Sequence, residues 1–226
     1  MADPVLQAID LAKDYGDQLG LDPTSLSIGT GELVLLVGPN GAGKSTFLGL
    51  CAGLLSPTGG EVLVSGAEVG SLAARAATSV IPDDPVLYDD LSVWEHAQFV
   101  ARLNHVEDWQ PLAEELLQRL GLADRRDDLP SRFSRGLRQK TSLLLGLLRP
   151  ADLLLIDEPF VGLDAPGQSE LVVLLDEIVN AGVTAVVSSH QLDLADRADR
   201  CVGLRDGKVV HDGDASREIV RQLTGG

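Results

Sequence analysis

The residues that could do chemistry are concentrated in one run, Gly38-Pro39-Asn40-Gly41-Ala42-Gly43-Lys44-Ser45-Thr46. Gly38, Gly43, Lys44 and Ser45 fall in the fixed places of the phosphate-loop pattern G-x-x-x-x-G-K-[ST]. Glycines let such a loop bend so that several backbone N–H groups point inward at phosphate oxygens. A helix starting at the end of the loop adds the positive end of its dipole. In that setting Lys44 reaches the β- and γ-phosphates and the Ser45 hydroxyl holds Mg²⁺. The chain has only four lysines, Lys13, Lys44, Lys140 and Lys208, and one of them stands here.

A second signal lies some way downstream. Leu153-Leu-Leu-Ile-Asp157-Glu158-Pro159 reads as a buried strand ending in two acids. Parallel sheets bind ligands beyond the carboxyl ends of their strands, so an acid at such an end faces the ligand edge. Asp157 is placed to reach Mg²⁺ through water. Glu158 is placed to polarise a water attacking the γ-phosphate. A third run, Thr184-Ala-Val-Val-Ser188-Ser189-His190, puts an imidazole at the same kind of edge, where it can hydrogen-bond a γ-phosphate oxygen.

These groups need elements to hold them. The apolar run Glu32-Leu-Val-Leu-Leu-Val37 before the phosphate loop reads as a strand, and the residues after Lys44 read as a helix. Strands are expected near 5–12, 32–37, 61–65, 78–82, 152–157, 183–188, 201–206 and 208–211. Helices are expected near 44–54, 92–103, 109–120, 135–148, 167–181, 191–198 and 215–223. Ser92 with Glu95 forms a capping box at one helix start. Gly121 and Pro150 mark two helix ends. The run Ala73-Ala-Arg-Ala-Ala77 is a short helical patch of structural use only. Alternating strands and helices imply an α/β fold with a mainly parallel sheet. The nearly all-helical stretch 88–150 reads as a helical subdomain inserted into a core formed by about 1–87 and 151–226, within a single domain.

Composition sets outer limits. With 18 basic and 34 acidic residues, the net charge of −16 argues against broad contact with nucleic acid or direct adsorption to an anionic membrane. No apolar run approaches the length of a membrane span, and the longest, around Leu143–Leu148, belongs to a helix. The start Met-Ala-Asp-Pro lacks the features of a secretory signal. Cys51 and Cys201 form no metal or redox spacing and read as buried free thiols. Together these point to a cytoplasmic protein.

The motifs resemble those of a known family, the ATP-binding subunits of ABC transporters, over about Val5 to Leu223. The piece that carries this resemblance is Phe133-Ser134-Arg135-Gly136-Leu137-Arg138-Gln139-Lys140. It is similar to the family's Leu-Ser-Gly-Gly-Gln signature. Ser134 and Gly136 match, while Arg135 stands for the first glycine and Leu137 for the glutamine. A Ser-Arg-Gly signature resembles that of exporter-type subunits. Ser134 is also a good N-cap for the helix that follows, whose free N–H groups suit an anion. The resemblance implies that this helix end meets the γ-phosphate bound to a second copy, in a head-to-tail homodimer or heterodimer. It implies ATP and Mg²⁺ as cofactors and a separate multi-span membrane permease as partner. It further implies that Tyr15 stacks on adenine, that Asp164 of Gly162-Leu163-Asp164 organises the dimer interface, and that His190 is the switch histidine.

One position departs from that pattern. Asp83, in Val80-Ile-Pro-Asp83-Asp84-Pro85, stands where the family has a glutamine that contacts Mg²⁺ and couples to the membrane subunit. A carboxylate suits Mg²⁺ as a hard oxygen ligand. A solvated loop acid is the other reading. The function expected is an ATP-hydrolysing subunit that drives a permease, leaning to export and docked peripherally on the inner face of the membrane. The alternatives are a soluble ABC-type ATPase that moves no solute, or a nucleotide-gated regulatory module. About 36 residues follow His190, too few for an appended regulatory domain. The guanine-reading Asn-Lys-x-Asp motif is absent.

Overall fold

The computed structural model describes residues 4–16 and 19–225. Met1–Asp3, part of the N-terminal run read above, lie outside the described residues. Among the described residues, ten strands and eight α-helices follow in the order β1 Leu6–Asp14, β2 Leu19–Ile28, β3 Leu33–Val37, α1 Lys44–Cys51, β4 Gly59–Val64, β5 Ala67–Glu68, α2 Leu72–Ala77, β6 Thr78–Ile81 and α3 Val93–Leu103. They continue with α4 Gln110–Arg119, α5 Arg135–Leu148, β7 Leu153–Asp157, α6 Ala165–Asn180, β8 Thr184–Ser188, α7 Leu192–Ala195, β9 Arg200–Arg205, β10 Lys208–Gly213 and α8 Arg217–Thr224.

The strands form two sheets. The larger has the order β10-β9-β3-β8-β7-β6, parallel throughout except for the β9–β10 hairpin. Its middle strand, β3, is buried along its whole length. Leu33, Leu35 and Val37 face one hydrophobic cluster, with α3 to α6 and α8, while Val34 and Leu36 face another that contains α1. A strand covered on both faces has no use for polar alternation, which is why 33–37 is a continuous apolar run. The smaller sheet, β2-β1-β4-β5, is antiparallel and covers α1 from the other side.

Several strand ends converge as a result. β3, β6, β7 and β8 run parallel, so the residues following Val37, Ile81, Asp157 and Ser188 emerge on one edge. The expected helix ends are present: the Ser92–Glu95 capping box makes both of its bonds, and α4 stops just before Gly121, which has φ +67°. Both cysteines are free and buried.

The structure corrects the sequence reading at a few elements. β2 and β5 were not expected. β2 carries Pro23 and is interrupted by register shifts, so its alternation is broken; it is an edge strand, where a proline is tolerated. β5 has only two residues, too few to show any period. α1 ends at Cys51 rather than 54, because Gly53 turns the chain at φ +70°. The helix expected over 191–198 narrows to 192–195, and a turn on the Leu194 carbonyl follows it.

Candidate nucleotide site

The phosphate loop leaves β3 at Gly38 and enters α1 at Lys44. Its glycines have specific spatial reasons. A Cβ on Gly38 would run into the Leu204 carbonyl oxygen, and one on Gly43 would lie 2.7 Å from the Gly20 carbonyl oxygen. Gly43 is also the N-cap of α1 at φ +105° and contributes no side-chain cap. The first N–H groups of α1 are thus left for a ligand, at the positive end of the helix. The loop is pinned from behind, since the Ala42 carbonyl accepts a hydrogen bond from the Gly207 N–H at 3.0 Å.

A cleft of about 320 Å³ opens over this loop. Asn40 to Thr46 line it, together with Tyr15, Gly20, Asp83 and Glu158. Gly20 was missed in the sequence; a side chain there would strike the Tyr15 ring, so its lack of one makes room for the aromatic. Tyr15 is half exposed, with the Lys13 ammonium 5.2 Å from its ring centre. Gly38 and Pro39 do not line the cleft. Their carbonyls instead accept hydrogen bonds from the buried Lys44 Nζ, at 2.8 and 3.4 Å.

The acids sit across from the lysine. Glu158 Oε1 is 3.7 Å from Lys44 Nζ, and Glu158 Oε2 is 3.5 Å from His190 Nδ1. Glu158 adopts φ +43°, an uncommon conformation for a non-glycine residue. Its N–H is held there by the Ser188 carbonyl at 3.1 Å and the Ser188 Oγ at 2.9 Å. The Ser188 hydroxyl in turn donates to Asp157 Oδ1. Ser188 lies opposite Asp157 in the parallel β7–β8 pair, so the sheet register creates this link. Burial pushes the Glu158 carboxyl above the usual carboxylate range, and Asp157 and Asp83 push the same way, against Lys44 and His190. A base raised toward neutrality is better matched to taking a proton from water.

The structure brings Lys44, Ser45, Tyr15, Asp83 and Glu158 to one cleft, with Asp157 and His190 joined to it through Ser188 and Glu158. It places Ser134, Gly136 and Asp164 elsewhere. None of these three lines the cleft. Ser134 caps α5, its Oγ accepting from the Leu137 N–H at 3.3 Å. Gly136 packs on the turn at Gly162, where a Cβ would run into the Gly162 carbonyl oxygen. Asp164 pairs with Lys140 at 3.0 Å, which holds its carboxyl below the usual range. Among the described residues, no three acidic, histidine or cysteine side chains converge as a metal site of their own.

Strand ends, phosphate loop and paired acids define a phosphate-loop nucleotide-hydrolase core joined to an antiparallel sheet and a group of helices. The family model described as "ABC transporter" matches residues 21–161. SkfA peptide export ATP-binding protein SkfE of Bacillus subtilis (strain 168) is 36% identical, over 92% of this chain and 88% of that protein. The lantibiotic transport ATP-binding protein SrtF of Streptococcus pyogenes is 31% identical, over 91% of this chain and 89% of its own. A solved ATP-binding subunit of an ABC transporter superposes with a TM-score of 0.88 at 32% identity, covering 98% of this chain and 95% of that one. The chain belongs to the ABC transporter family, as an ATP-binding subunit and ATPase.

Proposed function

We propose that the chain works as a head-to-tail dimer that hydrolyses ATP to drive a separate multi-span permease, with transport outward. The observation that carries the chemistry is Glu158, fixed at positive φ by Ser188 and set between Lys44 and His190. The triphosphate lies along Asn40 to Thr46, with Lys44 on its terminal phosphates. Tyr15 offers its face to adenine. Ser45, Asp157 and Asp83 are hard oxygen donors that suit Mg²⁺ as it arrives bound to phosphate. Held by these donors, Mg²⁺ would neutralise charge on the phosphates.

Glu158 then accepts a proton from water as the water oxygen forms a bond to the γ-phosphorus. The bond from that phosphorus to the bridging oxygen breaks, and ADP keeps the electron pair. His190 hydrogen-bonds the departing phosphate. Ser134 and Gly136, which do not line their own cleft, serve the nucleotide of the second copy, and Asp164 lies at the interface between copies. The peptide-export relative supports an outward direction.

A groove of about 690 Å³ between the end of α1, the loop after β6, α3 and α5 supports the permease partner. Val86, Leu54 and Leu103 stand exposed along it. No helix among the described residues is long and apolar enough to cross a membrane; in this reading the chain docks through the permease, peripherally at the cytoplasmic face. The net charge of −16 argues against nucleic acid as a partner.

The test is Glu158→Gln. The variant binds ATP with near-normal affinity, accumulates as a dimer and loses turnover by about 10²-fold or more. Normal turnover in this variant would remove Glu158 as the base. A multi-span protein co-purifying from native membranes supports the permease; a solely soluble partner moves the reading to a non-transport ATPase.

A further inference from the structure

Two of the positions at which this chain departs from its family's motifs touch each other. Arg135, in place of the first signature glycine, donates from Nη2 to Asp83 Oδ1 at 2.9 Å. Asp83, in place of the usual glutamine, lines the chain's own nucleotide cleft. Arg135 opens α5, whose Ser134 cap and Gly136 lie outside that cleft. One ion pair thus joins the cleft of the chain to the helix end that serves another copy.

The placement of Arg135 is electrostatically odd. Anions are favoured in the first turn of a helix and cations are not, yet α5 carries arginine there and no acid. The Asp83 carboxylate compensates for this, as a local anion beside both the guanidinium and the positive helix end. In the cleft the same carboxylate adds negative charge near Glu158 and helps to raise its pKa. Arg135 offsets that charge. Both side chains remain substantially exposed, at 60% and 45%, so the pair is easily broken.

We propose that Arg135 exchanges anions. In the single chain it is held by Asp83. When ATP closes the dimer, the γ-phosphate of the second copy arrives at the start of α5 and takes the guanidinium, through charge-assisted hydrogen bonds stronger than an exposed ion pair. Asp83 is then released toward the metal in its own cleft. Closure at one nucleotide thereby alters the ligand set at the other. This rests on the head-to-tail reading above.

The direction of one substitution separates exchange from a simple clasp. In the Glu158→Gln background, dimer formation is followed by light scattering against ATP concentration. Arg135→Ala raises the ATP needed for half-maximal dimer about tenfold, because a phosphate ligand is lost. Asp83→Asn lowers it about threefold, because the amide keeps an oxygen for the metal but no longer holds Arg135 as an ion pair. The double variant behaves as Arg135→Ala alone. If Asp83→Asn weakens dimerisation as Arg135→Ala does, or if the two effects simply add, the exchange is wrong. Hydrogen exchange on the nucleotide-free protein tests the pair without any dimer. Amides over 82–88 and 134–140 exchange faster in either single variant, and unchanged exchange in both removes the pair while leaving the dimer reading intact. Failure of the Glu158→Gln parent to dimerise overturns the dimer reading and the exchange with it.

Discussion

The strand-end cleft and the start of α5 both handle phosphate, yet they are built in opposite ways. At the cleft, the phosphate loop and Glu158 are braced from behind. Gly38 is seated on the Leu204 carbonyl, Lys44 is buried among loop carbonyls, and Glu158 is fixed by Ser188 from the neighbouring strand. At α5, Ser134 and Arg135 are exposed, and this helix start is held by the Arg135–Asp83 ion pair and by the contact of Gly136 with Gly162. A region that must bind and hydrolyse within one chain is pre-organised by the sheet. A region that waits for another molecule keeps its groups on the surface, tied by contacts weak enough to exchange.

That contrast can be broken most severely at Gly136. Gly136→Ala pushes a methyl into the Gly162 carbonyl, so the start of α5 must move. Hydrolysis is expected to fall about 10²-fold, as displacements of this order do. Nucleotide affinity of the single chain, read by titration with a fluorescent analogue, should stay within about twofold because the cleft is separate. An equal loss of both would show that the two regions are not independent. Ser188→Ala probes the bracing of the other region. It removes the hydroxyl shared by the Glu158 N–H and Asp157 but leaves the Ser188 carbonyl in place. The cost is about 1 kcal/mol of stability and about tenfold in kcat, with KM for ATP little changed. A shift in KM alone would mean that Ser188 supports binding rather than Glu158.

The smallest effect concerns pH. Because the folded protein raises the Glu158 pKa, ionisation of this group opposes folding. Its favourable contribution is present below the ordinary glutamate range and is lost as pH rises through the raised value. Glu158→Gln should therefore melt above the wild type at about pH 8, the gap closing toward about pH 4. A gap that widens on acidification would reverse the sign of the shift.

Much of this was legible in the sequence, for a physical reason. The phosphate loop, the paired acids and the buried strands are local patterns, set by residues a few positions apart. So were the Ser92–Glu95 box and the Ser134 cap, which the structure shows with their hydrogen bonds. Contacts between distant segments were not legible. Ser188 could be linked to Asp157 only once β7 and β8 were known to be neighbours in register. Nothing along the chain singles out Gly20 until the Tyr15 ring is found against it. Arg135 and Asp83 each stood out as departures, but nothing along the chain says that they meet. β2 hid behind Pro23, because an edge strand can keep a proline that a central strand cannot.

The burial of both thiols has a practical side. Cys51 closes α1 and Cys201 sits in β9 beside Leu35, with 1% and 0% of their surfaces exposed. Burial pushes the Cys201 thiol up to about 11 and the Cys51 thiol higher still. Neither supplies thiolate near neutral pH, and neither can be reached by an alkylating reagent while the chain is folded. The native molecule is thus silent to maleimide chemistry. A pair of cysteines introduced at exposed positions such as Asp84 and Arg132 can be labelled without removing either natural thiol. The distance between the loop after β6 and the approach to α5 then becomes a quantity that can be followed in solution, as nucleotide is added and consumed.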